Sequence, residues 1–278
     1  MAYPCFRCKG TKKSVNVQIN LHNSKKNSTF AALFYLLIMK KVLSIGLMTI
    51  VALMSLVSCD KEKELDAAVV WVDLGLPSGL LWADRNIGAT SETGSKRGYY
   101  YAWGETSPKR AYYWYNYRYA QDSLLTKYCN DRQSGYRGFI DSLTVLEPSD
   151  DVATVRFGSG TRIPTVEEWQ ELLNYTTTEY VYSASSVKFT GRNGNSILIT
   201  YSGGYMDGTR ESLSGWDGCG YYASSSLCLE DPLYSYALAL SGGNYFFGYN
   251  TDGSWKTMAI IWQSRRLGTY VRPVRDAK

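Results

Sequence analysis

The sequence predicts an α+β domain of short antiparallel strands with a few short helices. Three observations carry this. From residue 69 onward, short β-branched or aromatic runs recur with Gly, Pro, Asn or Asp between them, the pattern of hairpin-linked strands. One segment, Val166 to Tyr175, instead repeats apolar residues at helical spacing. No repeat of 20–50 residues runs through the chain, so solenoids and propellers are excluded.

The first 59 residues do not read as part of this domain. Residues 1–38 are basic and hold no acid, and are expected to be an upstream extension that precedes the true start. Met39-Lys40-Lys41 opens a second start, followed by the apolar run Val42 to Val57 and then Ser58-Cys59. A charged head, an apolar middle and small residues before a cysteine make residues 39–58 a signal peptide. The alternative is a membrane anchor from about Phe30, but Lys40 and Lys41 interrupt it. Residues 59–68 form a tether, charged at Asp60-Lys61-Glu62-Lys63-Glu64, and 69–278 form the folded domain.

Cutting at Cys59 changes what the composition implies. The whole chain carries +5, but residues 1–59 hold eight of the 30 Lys and Arg and none of the 25 Asp and Glu. What remains has 22 bases against 25 acids, a net charge of −3. No basic stripe is left for phosphates, so nucleic acid is not an expected partner. The single histidine, His22, lies before the cut, so His-based catalysis and His metal ligation are excluded from the domain.

Within the domain, Val69–Leu74 and Leu80–Trp82 are strands joined by the turn Pro77-Ser78-Gly79. Gly98–Gly104 is aromatic and strand-like. Residues 107–148 are Tyr-rich with no sustained period, and are expected to be a long insertion with a short helix near Ser123–Tyr128. Ser149 is the expected cap of a short helix over Asp150–Val155.

The central helix has the clearest signals. Thr165 is a good N-cap, and Glu168 three residues later completes a capping box. Pro164 and Trp169 stand where a hydrophobic staple would place them. Glu167 and Glu168 fall in the first turn, favoured by the helix dipole. Val166, Trp169, Leu172 and Leu173 share one face. Adjacent carboxylates point to different sides of a helix, so Glu167 and Glu168 cannot form a catalytic pair. Strands are then expected at Val181–Tyr182, Val187–Thr190, Ser196–Tyr201, Gly220–Ala223, Tyr236–Leu240, Tyr245–Tyr249, Met258–Trp262 and Thr269–Val274. The tight turn Gly191-Arg192-Asn193-Gly194 joins two of them.

Three cysteines follow Cys59. Cys219 and Cys228 bracket a short segment and are the expected disulfide, with Cys129 left over; three buried free thiols are the alternative. Calcium sites need clustered oxygens. Asn250, Asp252 and Asp217 are too sparse for one, so no metal or other cofactor is expected. All eight Trp and 22 of the 24 Tyr lie after Cys59. Trp71, Trp82, Trp103 and Trp169 are expected in the core. Trp216, Tyr234, Tyr245, Tyr249 and Trp255 lie in or beside loops, among Gly, Ser and Asn, and are the candidate ligand-binding residues. Loop aromatics that fold back over the core are the alternative.

Several stretches carry a family resemblance: VDLGLPSGLLWA (72–83), NIGAT (86–90), YYAWGETSPK (100–109), LTKYC (125–129), DDVATVRFGSGTRIPT (150–165), GYYASSS (220–226) and YVRPV (270–274). They resemble the major paralogous domain (FISUMP type) of bacterial surface lipoproteins. Arg162-Ile163-Pro164-Thr165 with Glu168-Trp169 is also similar to the helix signature of formylglycine-generating enzymes. The resemblance implies a C-type-lectin-like fold. Leu56-Val57-Ser58-Cys59 resembles a lipobox with Cys59 lipidated, and the acids of 60–64 resemble a surface-export signal, which implies anchoring at the outer-membrane surface, with the periplasmic leaflet as the alternative; the expected partners are the membrane and a glycan or surface protein. It implies a binding module rather than an enzyme. A structural or adhesive envelope subunit is the alternative, and a formylglycine-generating-type oxidase the third reading. The family places a cysteine where this chain has Arg85, which leaves Cys129 without that partner. An Arg at position 162 in such scaffolds is expected to pair with backbone carbonyls.

Overall fold

The computed structural model describes residues 39–40, 69–91, 97–212, 218–243, 246–254 and 256–277, with the backbone alone for 210–212. The chain divides into two units, Met1–Lys61 and Glu62–Lys278. In the first, Met39 and Lys40 are described, helical and exposed. Cys59 and its neighbours lie outside the described residues. Among the described residues, no helix is long and apolar enough to cross a membrane.

The second unit is α+β, mostly antiparallel strands in small sheets with few helices. Strands β1 (Trp71–Asp73) and β2 (Leu81–Ala83) form the expected hairpin. They belong to a four-stranded sheet in the order β1-β2-β14-β5, with β5 at Thr161–Arg162 and β14 at Val274–Arg275. Strands β6 (Thr177–Val181), β7 (Ser186–Thr190) and β8 (Ser196–Thr200) form a meander. The Asn193-Gly194 turn closes its second hairpin, with Gly194 at φ +85°. Strands β11 (Cys219–Leu227), β12 (Tyr234–Ser241) and β13 (Met258–Ser264) form the third sheet. Two short hairpins complete the set: β3–β4 (Ala120–Gln121, Leu124–Leu125) and β9–β10 (Tyr205–Asp207, Arg210–Ser212).

Helix α1 spans Val152–Phe157 and α2 spans Val166–Tyr175. The cap of α1 is Asp151, two residues beyond the expected Ser149; its carboxylate accepts from Ala153 and Thr154 N–H and also from Ile163 N–H. The capping box of α2 is present as read, Thr165 Oγ1 accepting from Glu168 N–H and Glu168 from Thr165 N–H. Arg162 departs from expectation. It does not serve carbonyls there; its guanidinium meets the Glu168 carboxylate with two bonds of 2.6 Å. The Glu168 carboxylate stands three residues past the cap, and a bidentate fork to it is a stronger match than single carbonyls.

Two cores flank the β11 sheet. One gathers Trp82, Trp169, Leu172, Val187, Phe189, Tyr222, Leu238 and Val274. The other gathers Ile87, Trp103, Tyr112, Tyr117, Tyr128, Ile163, Leu227 and Val271. Alternation along strands feeds both: Tyr222 goes to the first and Ala223 to the second. Val271 and Val274 likewise serve different cores, as opposite faces require. Of the four tryptophans expected inside, Trp82, Trp103 and Trp169 are buried, while Trp71 is partly covered and lies under Arg275.

A bulge in β11 locks these layers together. Between Ala223 and Leu227 the register shifts so that Ser224, Ser225 and Ser226 stand against Tyr236 alone. The displaced backbone serves other elements. Ser224 C=O accepts from Trp103 Nε1, Ser225 N–H donates to Pro164 C=O, and Ser226 Oγ accepts from the first helical N–H of α2, Val166.

Other local expectations also fail. Ser123–Tyr128 is not helical: Asp122 and Ser123 have φ of +52° and +66°, and turn the β3–β4 hairpin. Residues 107–148, read as a long insertion, contribute Tyr112, Tyr117, Tyr119, Leu125 and Tyr128 to the second core. Cys219 and Cys228 are free and stand at opposite ends of β11. Eight residues of strand separate them by more than about 20 Å, far beyond the ~7 Å that a disulfide tolerates between Cα atoms.

Candidate functional site

The site begins with β9. Its backbone is held on both sides, Met206 exchanging two bonds with Gly268 and Gly208 exchanging two with Tyr112. Met206 packs on the second core, so Tyr205 and Asp207 must face outward. The Tyr205 ring meets Tyr221 of β11 edge-to-face at 5.1 Å, and Tyr221 meets Phe247 edge-to-face at 6.4 Å. Asp207 pairs with Arg266 at 2.6 Å, and the same guanidinium nitrogen donates to Tyr112 C=O. The result is an aromatic run ending in an ion pair.

Both flanks of the run carry more aromatics. Tyr113 and Tyr115 stack at 5.1 Å, and Tyr115 is 81% exposed. Tyr113 lies against the β9–β10 turn: a Cβ at Gly208 would come within 2.7 Å of its hydroxyl, and Gly208 has φ +61°. Glycine is required there on both counts. On the other flank, the β12–β13 connection is a backbone-bonded finger. Phe247 N–H donates to Lys256 C=O, Lys256 N–H to Gly248 C=O, and Asn250 N–H to Ser254 C=O. Tyr180 Oη and Thr257 Oγ1, 2.5 Å apart, pin its base to β6. Tyr249 is 60% exposed on this finger, and Phe246 is also exposed.

The candidate residues read from sequence divide accordingly. Tyr249 lies on the finger, where a strand over Tyr245–Tyr249 was expected and residues 246–249 form none. Trp216, Tyr245 and Trp255 lie outside the described residues. Tyr234 does not join them: it opens β12, whereas the finger follows the last β12 residue, Ser241. Seven strand steps put Tyr234 about 23 Å from that end. Tyr205, Tyr221, Phe247, Tyr113, Tyr115, Asp207 and Arg266 were missed. The one sequence signal for them was outward alternation in YMD and GYYA, hidden because neither run reads as amphipathic on its own.

Other polar clusters are committed to hydrogen bonds and ion pairs within the fold. Asp252 Oδ1 accepts from the N–H and hydroxyl of Ser254, which holds its carboxyl below the usual range. Buried Glu105 accepts from Lys109 Nζ and Arg118 N–H. Buried Asp150 accepts from Lys127 and the Tyr128 hydroxyl. Burial pushes the Cys129, Cys219 and Cys228 thiols up, away from the reactive thiolate form. Among the described residues, no group of three His, Cys, Asp or Glu could hold a metal ion. Among the described residues, the site offers ring faces and edges on a backbone-bonded frame, beside the Asp207–Arg266 pair. Comparison of the chain with protein-family models, with curated proteins and with solved structures gives no match.

Proposed function

We propose that residues 69–278 form a C-type-lectin-like binding module that recognises a glycan, presented free or on a surface protein. The observation that carries this is the Tyr205–Tyr221–Phe247 run beside Asp207–Arg266. Aromatic rings cover the apolar C–H faces of a pyranose, and they do so at low entropy cost because each ring is already placed. The charged pair supplies both acceptors and donors for sugar hydroxyls. The module is anchored through a lipidated Cys59 at the outer membrane, facing outward. The commitment of Glu105 to the Arg118 N–H and Lys109, and of Asp150 to Lys127 and the Tyr128 hydroxyl, supports binding over catalysis. A glycan array and a pull-down with the mature chain test the proposal, against Tyr205→Ala as control. Glycan retention lost in the variant is the expected result. Retention that survives Tyr205→Ala, or turnover of a cysteine-containing sulfatase peptide, would sink it.

A further inference from the structure

The β11–β12–β13 sheet ends at β13, which has one strand neighbour among the described residues. Ser241 N–H donates to Thr257 C=O, and Arg265 N–H donates to Leu233 C=O, one pair at each end of the β12–β13 ladder. Antiparallel pairs alternate between bonded and non-bonded. Ala259, Ile261 and Gln263 therefore bond to β12, while Met258, Ile260 and Trp262 turn their N–H and C=O outward. Their side chains share the face of Leu238 and Leu240, on which α2 lies.

That edge is unusually bare. Its sequence, MAIIWQS, has no charge and no proline. Natural edges are blunted by lysine, proline or bulges. Trp262 is 51% exposed, opposite Tyr236. Beyond the edge, Ile260 and the α2 residues Val166, Glu167, Gln170 and Glu171 line a groove of about 510 Å³. Among the described residues, its lining has two carboxylates and no basic side chain. Glu171 accepts from the N–H and hydroxyl of Ser78. A third carboxylate, Glu230, accepts from the Tyr236 hydroxyl next to Trp262.

We propose that β13 is an acceptor edge for an extended cationic segment of a partner protein, which adds as a fourth strand. Backbone bonds to Ile260 and Trp262 hold the segment, and its alternate side chains enter the groove beside α2. The charge decides the occupant. A basic–apolar alternation sets its cations on the α2 face, against Glu167 and Glu171, and its apolar residues on the opposite face, beside Ile261. A second copy of β13 brings no cation, and its α2 would bring the same acids face to face.

The test uses the full chain in detergent micelles and a labelled hexapeptide, Lys-Val-Lys-Val-Lys-Val, read by fluorescence anisotropy, with the Glu-Val counterpart as control. Ile260→Pro removes an outward N–H without touching a β12 bond, as edge proline allows. Glu167→Lys reverses groove charge without touching β13, and keeps the test valid if the proline variant misfolds. The Lys-Val peptide should bind the wild type in preference to the Glu-Val peptide, more weakly in high salt. Each variant should weaken it by roughly tenfold or more. No binding to the wild type, or unchanged binding to Glu167→Lys, would overturn the proposal. So would a dimer in sedimentation that Ile260→Pro dissolves, since a second copy would then be the occupant.

Discussion

Arg162 grips Glu168 with both guanidinium nitrogens, and that same carboxylate closes the capping box on the N–H of Thr165. One acid thus ties the last residue of β5 to the first turn of α2. The pair is mostly shielded, with side-chain exposures of 33% and 16%. Removing Arg162 leaves the cap, while removing Glu168 takes both. Thr165→Ala should cost about 1 kcal/mol. In a urea double-mutant cycle, Arg162→Ala with Glu168→Gln should show a coupling of about 1 kcal/mol or more. Additive single effects would mean that the fork adds nothing to the fold.

Trp169 is fully buried between Trp82 and Tyr222, and its Nε1 donates to Ala223 C=O. Trp169→Ala should therefore cost roughly 3–5 kcal/mol. Leu172 is buried beside it, and Leu173 is half-buried. A loss under about 1 kcal/mol in urea unfolding would show that α2 is not docked by this residue.

Arg265 is a buried cation held by oxygen atoms and rings. Nε donates to the Tyr117 hydroxyl, Nη1 to Tyr128 C=O and Pro232 C=O, and Nη2 to Lys127 C=O. Its plane lies 4.6 Å from the Trp103 ring. These carbonyls belong to the Tyr-rich segment and the β11–β12 connection, so one side chain staples both to the core. Arg265→Met should cost about 3 kcal/mol or more, because several buried acceptors lose their donor at once. Arg265→Lys keeps the charge but not the fork, and should cost about 2 kcal/mol. Equal stability of Arg265→Lys and the wild type would refute the fork argument.

The central helix and the β1–β2 and β7–β8 hairpins were legible because their signals are local. Thr165 and Glu168 are three residues apart, and Asn193-Gly194 dictates its own turn. The Tyr-rich segment was not legible, because its order comes from Arg265 more than 120 residues away and no periodicity reports such a partner. The same holds for the site. Tyr205, Tyr221 and Phe247 are brought together by three separate elements, and of the described residues at the site Tyr249 alone was visible as a loop aromatic. The cysteine pair failed for a related reason: a short spacing in sequence is a long one when the residues between are a strand.

Burial pushes the Tyr112 and Tyr117 phenols up from 10.0 to about 12. The fold therefore favours the neutral phenol. The unfolded chain ionises first, so this stabilisation is complete below about pH 10 and is lost as pH rises toward 12. An alkaline titration followed by circular dichroism should show cooperative unfolding in that window, together with phenolate absorbance. Tyr112→Phe should lower stability at neutral pH by about 1 kcal/mol, through its bond to Tyr100 C=O, yet lose less of it above pH 10. An identical alkaline midpoint and slope in the variant would place the alkaline transition elsewhere.

The ligand face makes the sharpest demand, because its residues must matter for binding and not for folding. Tyr249 stands on the finger, exposed, and Tyr205 faces outward from a strand whose inward residue is Met206. Neither belongs to a core cluster. The finger keeps its shape through backbone bonds at Phe247, Asn250 and Lys256, which do not involve the Tyr249 ring. Loops with such internal support can change side chains without disturbing a sheet. Tyr205→Ala with Tyr249→Ala should therefore abolish glycan retention while moving Tm by little. Each ring should contribute on the order of 2 kcal/mol if it anchors the ligand. Tyr221→Ala is the contrasting case, since its ring touches both Tyr205 and Phe247 and should disturb their placement as well. A large fall in Tm for the Tyr205–Tyr249 double variant would reassign these rings to packing, and the aromatic run would no longer qualify as a binding face.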